Sequence, residues 1–416
     1  MGSIPGKSCR NGKITYLVLV LGGNSLKIET KQIVLAIIWL SIVLSVVFGR
    51  TTTGQARIAV YMTYLCIGAC LLYSFSMKRV KIGYFQILLL LFGIALSVSA
   101  LYSPTSSTIV NAYILRYWIS FSTAVLIANV IDNDKEMHIL INACIVAGVA
   151  YSIFVYRYYG ISHLLTITYR IDNTLGNQNE IGMYCAFSII LSTYEIFNKK
   201  NTRNTIFYII CILINMPAML VTGSRKALLI AFVGFLVMVL TYSEKKGKYK
   251  RLVFVALMLS IVLYFANDFA YFGGIQDRFL DLSGVLSGGD ITRSDAARLY
   301  WIREGWRHFL TSPVFGNGFL SSYTYFNLYS HNNFIELLMD NGIIGFLLYY
   351  IIHLRILYLA IKKRAYSTDA FAFIISIMVA MVLVDVGVVS FYNSYVLILL
   401  LMCVKKIELI EKKEIV

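Results

Sequence analysis

Apolar residues along this chain come in runs separated by short polar breaks. Many runs approach the length of about 20 residues that a helix needs to cross about 30 Å of hydrocarbon at 1.5 Å per residue. They fall at 32–49, 56–76, 82–102, 107–131, 138–160, 181–198, 204–222, 226–243, 251–271, 342–361, 369–387 and 392–404. The pattern predicts an all-α, polytopic integral membrane protein with about 12 transmembrane helices. It divides the chain into an N-terminal tail (1–31), transmembrane helices 1–9 (32–271), one long outer loop (272–341), transmembrane helices 10–12 (342–404) and a C-terminal tail (405–416). The last two segments are parted only by the short break around Ser390–Asn393. An apolar run at Ile14–Leu21 lacks a clear cleavage site and does not read as a signal peptide.

Composition agrees with a membrane protein. Hydrophobic residues make up 58% of the chain and charged residues 14%, against about 25% charged in soluble domains. The net charge of +16 invites a nucleic-acid reading. That reading is set aside because the charges sit in short loops between apolar runs, where they set topology. With both termini in the cytoplasm, 25 of the 37 Lys and Arg fall on the inner side and 11 on the outer side. Lys226 is the only lysine on the outer side; the rest there are arginines, whose planar fork binds phosphate bidentately. Cys66, Cys70, Cys144, Cys185, Cys211 and Cys403 lie inside apolar runs without metal-ligand spacing. No disulfide, metal or cofactor is expected.

The candidate chemistry collects on the expected outer side. Val221-Thr-Gly-Ser-Arg-Lys-Ala joins two apolar runs, and Ser224 can cap the helix that follows. Arg225 and Lys226 then sit at a helix N-terminus, where free N–H groups favour an anion; the alternative is a tight turn with snorkelling charges. Upstream, the amide-rich stretch from Arg170 to Glu180 offers Asn177 and Asn179 either to sugar hydroxyls or to helix capping. Within the long loop, Ser294-Asp295 can cap an amphipathic helix whose apolar face carries Leu299, Ile302, Trp306 and Phe309, interleaved with Arg298, Arg303 and Arg307. That helix is read as lying at the membrane surface. Ser330-His331-Asn332-Asn333 opens the next helix, with Glu336 a turn later. A histidine beside a carboxylate can act as a general base, or serve structure alone. Arg116 falls within an apolar run and needs a partner or a polar cavity; Asp385 is the partner expected for a structural ion pair.

Thr222-Gly-Ser-Arg-Lys-Ala, Ala297-Arg-Leu-Tyr-Trp with Pro313-Val-Phe-Gly-Asn-Gly, and Ser330-His-Asn-Asn-Phe-Ile-Glu followed by Asn341-Gly-Ile-Ile-Gly together resemble the O-antigen ligase/polymerase superfamily. The stretch from Asn173 to Glu180 also resembles the amide-rich patch of Wzy-type polymerases. The resemblance implies a GT-C-like fold and a metal-independent glycosyltransferase on the outer face of the bacterial plasma (inner) membrane. It implies a polyprenyl (undecaprenyl) diphosphate-linked glycan as donor, with Arg225 and Arg298 on the diphosphate and His331 as the base. Arg170, Asn177, Asn179, Ser224, Lys226, Arg303, Asn332, Asn333 and Glu336 are the expected substrate contacts. The implied partners are the lipid-linked donor and acceptor, membrane lipids, a chain-length regulator and a flippase, with no nucleic acid.

Within that superfamily the compact Ser330–Glu336 block favours a repeat-unit polymerase for O-antigen, capsule or exopolysaccharide over a WaaL-type ligase acting on lipid A core. A polysaccharide flippase or transporter is the third reading. Transporters tend to show paired halves and broken helices, and the sequence pattern shows neither.

Overall fold

The computed structural model describes residues 16–21, 24–49, 56–77, 82–166, 171, 174–198, 202–242 and 293–414. Strands β1 (Tyr16–Leu21) and β2 (Asn24–Glu29) pair antiparallel ahead of the first helix. The other regular elements among the described residues are helical: α1 (Thr30–Phe48), α2 (Ala56–Ser76), α3 (Tyr84–Ala100), α4 (Ser107–Val130), α5 (Asp134–Tyr159) and the short α6 (Ile161–Thr166). Then follow α7 (Gln178–Asn198), α8 (Thr202–Val221), α9 (Arg225–Thr241), α10 (Arg293–Thr311) and α11 (Ser321–Phe326). The chain closes with α12 (Asn333–Lys362), α13 (Thr368–Asp385) and α14 (Ser394–Glu414). Each expected spanning segment coincides with a helix except 251–271, which lies outside the described residues.

The protein is a polytopic helical membrane protein. Among the described residues seven helices, α1, α2, α4, α5, α8, α12 and α13, are long and apolar enough to cross a membrane. Helices α3 and α9 have 17 residues each, which gives them about 25 Å of length. Helix α7 carries Glu180 and Glu195, and α14 ends in a Lys/Glu-rich turn, so these two are less apolar than the seven. Helix α13 packs against α9, α12 and α7, while α14 lies along α4. Fully buried aromatic rings fasten α3, α4 and α12 to the break before α14. The Phe92 ring lies 5.6 Å from Tyr117, 5.2 Å from Tyr349 and 5.9 Å from Phe391. The Tyr117 hydroxyl donates to Leu89 O at 2.6 Å, so its burial leaves no orphan donor.

One end of the bundle is tied by ion pairs. Lys31 bridges Asp132 (3.1 Å) and Glu136 (2.6 Å). Lys413 (2.7 Å) and Lys406 (3.5 Å) reach Asp134. Lys363 pairs with Glu414. Asn133 Oδ1 accepts from Glu136 N at 3.0 Å and caps α5.

The opposite end is built differently. Helix α12 is broken at Gly342, whose φ of +63° and ψ of −166° are not helical. The sequence pattern starts its tenth spanning segment at this residue and shows no broken helix. The structure reveals a half-helix, 333–341, leading into the long one. The break is capped by the 313–318 turn. Ile343 N donates to Pro313 O (2.9 Å) and Ile344 N to Val314 O (3.3 Å). In return Asn317 N donates to Met339 O (2.8 Å) and Gly318 N to Asp340 O (3.0 Å). A Cβ on residue 342 would sit 2.3 Å from Val314 O, so glycine is required there by both backbone conformation and space. The motifs Pro313-Val-Phe-Gly-Asn-Gly and Asn341-Gly-Ile-Ile-Gly are thus the two halves of one docking contact.

Candidate functional site

The segment between the 313–318 turn and α12 holds three non-glycine residues in the left-handed region: Leu320 (φ 61°), Asn327 (φ 57°) and His331 (φ 58°). Such conformations cost about 1–3 kcal/mol each and persist only where surroundings hold them. Two carboxylates one turn apart on the half-helix do the holding. Asp340 accepts from Leu320 N (2.8 Å) and Ser321 Oγ (2.7 Å). Glu336 accepts from Ser322 Oγ (2.7 Å) and Ser330 N (2.7 Å). Both acids are fully buried. Glu336, expected as a substrate contact, therefore fixes the residue before His331 instead. It does not partner the imidazole.

His331 is flanked by rings and cations. Its imidazole stacks on Trp301 of α10, with centroids 5.0 Å apart, and lies 4.1 Å from Tyr329. Burial lowers the imidazole's proton affinity most, and the charges of Arg298 and Lys226 lower it further, to a pKa of about 4. His331 is consequently neutral at pH 7, and its electrostatic neighbours are cations where a carboxylate was expected.

Lys226 enters this patch from the N-terminus of α9. Ser224 caps that helix by accepting from Ala227 N at 3.3 Å. The Ser224 hydroxyl also donates to Asn179 Oδ1 (3.0 Å), and Asn177 Oδ1 accepts from Asn179 N (2.9 Å). The start of α7 is in this way locked to the start of α9. Lys226 Nζ donates to Gly387 O at 2.9 Å. A Cβ on residue 387 would fall 1.7 Å from that nitrogen, so the approach depends on glycine. Arg225, half-buried, is the first residue of α9.

Several expected contacts are corrected. Asn332 caps the half-helix, accepting from Phe334 N (3.0 Å) and Ile335 N (3.1 Å), and its amide donates to Val386 O (3.3 Å). Asn333 is fully buried, donating to the Tyr350 hydroxyl (3.0 Å) and accepting from Ser390 N (2.9 Å). In the structure both amides are engaged in holding the half-helix and the 386–390 segment. Arg116 and Asp385 do not pair. The Asp385 carboxylate accepts from the hydroxyls of Tyr350 (2.9 Å) and Ser390. The Arg116 guanidinium instead lies 5.0 Å over the Tyr392 ring and 6.0 Å from that of Tyr113. Neutral donors are near enough to satisfy Asp385, and an aromatic face holds the cation. Arg303 is exposed on α10. Helix α10 begins at Arg293, ahead of the expected Ser294-Asp295 cap. Its Leu299 and Trp306, two members of the expected apolar face, remain 51% and 47% exposed. Arg170 lies outside the described residues.

The structure thus brings Arg298, Lys226 and His331 together, with Arg225 beside Lys226 in sequence. Sequence reasoning missed Tyr329 and Tyr392 as site residues and gave Asp340 no role. Tyr329 stands two residues before His331, a usable signal. Tyr392 and Asp340 carry none, because their roles depend on elements distant in sequence. Among the described residues no group of three or more His, Cys, Asp or Glu is placed to hold a metal ion.

A helical membrane bundle with a cationic, histidine-bearing patch at one end describes the class. Residues 207–350 match the O-antigen ligase family model, so this part of the chain is similar to that family. The match spans about a third of the chain and includes Arg225, Lys226, Arg298, His331 and the Gly342 break. Arg116, Asn177, Asp385 and Gly387 lie outside it. Members of this family are glycosyltransferase-like enzymes that act on lipid-linked glycans in polysaccharide biosynthesis. No curated protein matches the chain.

Proposed function

We propose that this protein polymerises undecaprenyl-diphosphate-linked oligosaccharide repeat units on the outer face of a bacterial plasma membrane, without a metal. The observation that carries the reading is the His331 imidazole, stacked on Trp301 and set beside the cations Arg298 and Lys226. An acceptor hydroxyl oxygen bonds to the donor's anomeric carbon as the carbon–oxygen bond to the diphosphate breaks. The hydroxyl proton passes to His331, and the electron pair leaves on the diphosphate. Arg298, Arg225 and Lys226 stabilise that growing negative charge, as fixed cations do in a site partly shielded from water.

The low proton affinity of His331 fits a group that changes on binding. A bound diphosphate offsets the charges of Arg298 and Lys226, and the imidazole becomes a stronger base once the donor is in place. The polymerase branch is favoured over ligation by the compact Ser330–Glu336 block, whose buried acid ties the histidine loop directly to the half-helix. Purified full-length protein incubated with lipid-linked repeat units is expected to give longer lipid-linked products and to release undecaprenyl diphosphate. Transfer only to a lipid A core acceptor would replace this reading with ligase. Movement of unaltered substrate across vesicles would replace it with transport.

A further inference from the structure

A cavity of about 290 Å³ adjoins the cationic patch, with Tyr113, Arg116, Asn177, Glu180, Tyr329 and Tyr392 in its wall. We infer that this chamber is a saccharide subsite that takes one sugar ring of the lipid-linked glycan. The inference rests on the glycosyl-transfer reading above and deepens it.

Position is the first argument. Tyr329 is shared by both regions: its ring lies 4.1 Å from His331, and its hydroxyl accepts from Asn177 Nδ2 at 3.2 Å. Val388 and Val389, also in the wall, directly follow Gly387, whose carbonyl oxygen holds Lys226. A sugar in the chamber would therefore lie next to the group proposed to take the hydroxyl proton.

Chemistry is the second. A sugar ring has C–H faces that pack on aromatic surfaces and hydroxyl edges that need donors and acceptors. The chamber offers three tyrosine rings, the Asn177 amide, the Glu180 carboxylate and the Arg116 guanidinium. Among the described residues no carboxylate forms an ion pair with Arg116. Its cation–π contact with Tyr392 positions the guanidinium fork, whose N–H donors run in plane. A Tyr113–Tyr323 hydroxyl contact of 2.7 Å, together with the Asn177–Tyr329 bond, preorganises the wall.

Size is the third. The volume lies at the bottom of the range for ligand sites, about 300–1,000 Å³. It is large enough to take one ring. The polar wall is unsuited to the polyprenyl chain.

The test compares two probes on purified full-length protein: undecaprenyl diphosphate alone, and undecaprenyl-diphosphate-linked repeat units extracted from cells lacking this protein. Arg116→Gln and Tyr329→Phe are expected to weaken the sugar-bearing probe by about tenfold, roughly 1.4 kcal/mol, and to leave undecaprenyl diphosphate binding unchanged. Arg298→Ala is expected to weaken both. Equal weakening of both probes by Arg116→Gln would make the chamber part of the diphosphate site and overturn the inference. No change for either probe, in both variants, would overturn it as well. Wild-type protein that binds neither probe would instead overturn the glycosyl-transfer reading on which this one rests.

Discussion

The two ends of the bundle use acidic residues in opposite ways. At the Lys31 end, carboxylates meet lysines: Asp132 and Glu136 on Lys31, Asp134 on Lys406 and Lys413, Glu414 on Lys363. At the His331 end, Glu336, Asp340 and Asp385 take hydroxyl and backbone N–H donors. The acids there brace loops, and the cations Arg298 and Lys226 set the electrostatics of His331. Paired charges stitch one end. At the other, Glu336, Asp340 and Asp385 brace loops through hydroxyl and backbone N–H donors.

The largest expected effect tests the cationic half of that contrast. Arg298→Ala should cut product formation by about 100- to 1,000-fold, the usual cost of losing one donor to a developing anion, in an assay with lipid-linked repeat units. Arg298→Lys should recover only part, since it loses the bidentate fork. The bracing half is tested by Glu336→Ala. Leaving Ser330 N–H and the Ser322 hydroxyl without their acceptor should destabilise the fold by about 2–3 kcal/mol. A lowered thermal midpoint in detergent would register it; Glu336→Gln, which keeps an acceptor, should fall less.

Gly342→Ala should cost about 1–3 kcal/mol, because it forces a side chain into the left-handed region against Val314 O. Loss of the 313–318 contact would show as faster proteolysis there. The pH dependence follows from His331, whose folded-state pKa of about 4 lies below its ordinary 6.5. The fold favours the neutral ring, so protonation as pH falls from 6.5 towards 4 works against the folded state. Wild type should lose more stability over that window than His331→Gln. With donor bound, the acidic limb of kcat should lie at higher pH than that of kcat/KM, because diphosphate offsets the neighbouring cations. Coincident limbs would argue against His331 as the base. The smallest effect is Lys413→Ala. Its pair with Asp134 is solvent-exposed, with 72% of the lysine side chain accessible, and such pairs contribute about 0.5 kcal/mol or less.

Much of the fold was legible from one rule. A span needs about 20 apolar residues, and the runs that meet or approach this length coincide with helices wherever the structure is described. Local chemistry was legible for the same kind of reason. Ser224 caps α9 because a hydroxyl just before a helix satisfies orphan N–H groups nearby in sequence. The Arg116–Asp385 pair was misread, and the partners of Asn332, Asn333 and Glu336 were not legible, because each could satisfy its polar atoms in more than one way. Only proximity selects among them, and Ser390, Tyr350 and Val386 are distant in sequence.

By itself, then, the sequence determined a helical membrane bundle and the residue types that its polar segments carry. Hydropathy and helix capping are local properties, read within one turn or one run. Tertiary structure alone decided that Gly342 breaks α12 so that the 313–318 turn can dock, and that Glu336 and Asp340 brace the histidine loop. It also put Lys226 and Arg298 at His331, and hung Arg116 over Tyr392 in a chamber. Those outcomes depend on which buried donor reaches which acceptor first across the bundle, and a buried polar atom accepts whichever partner the packing brings within about 3 Å.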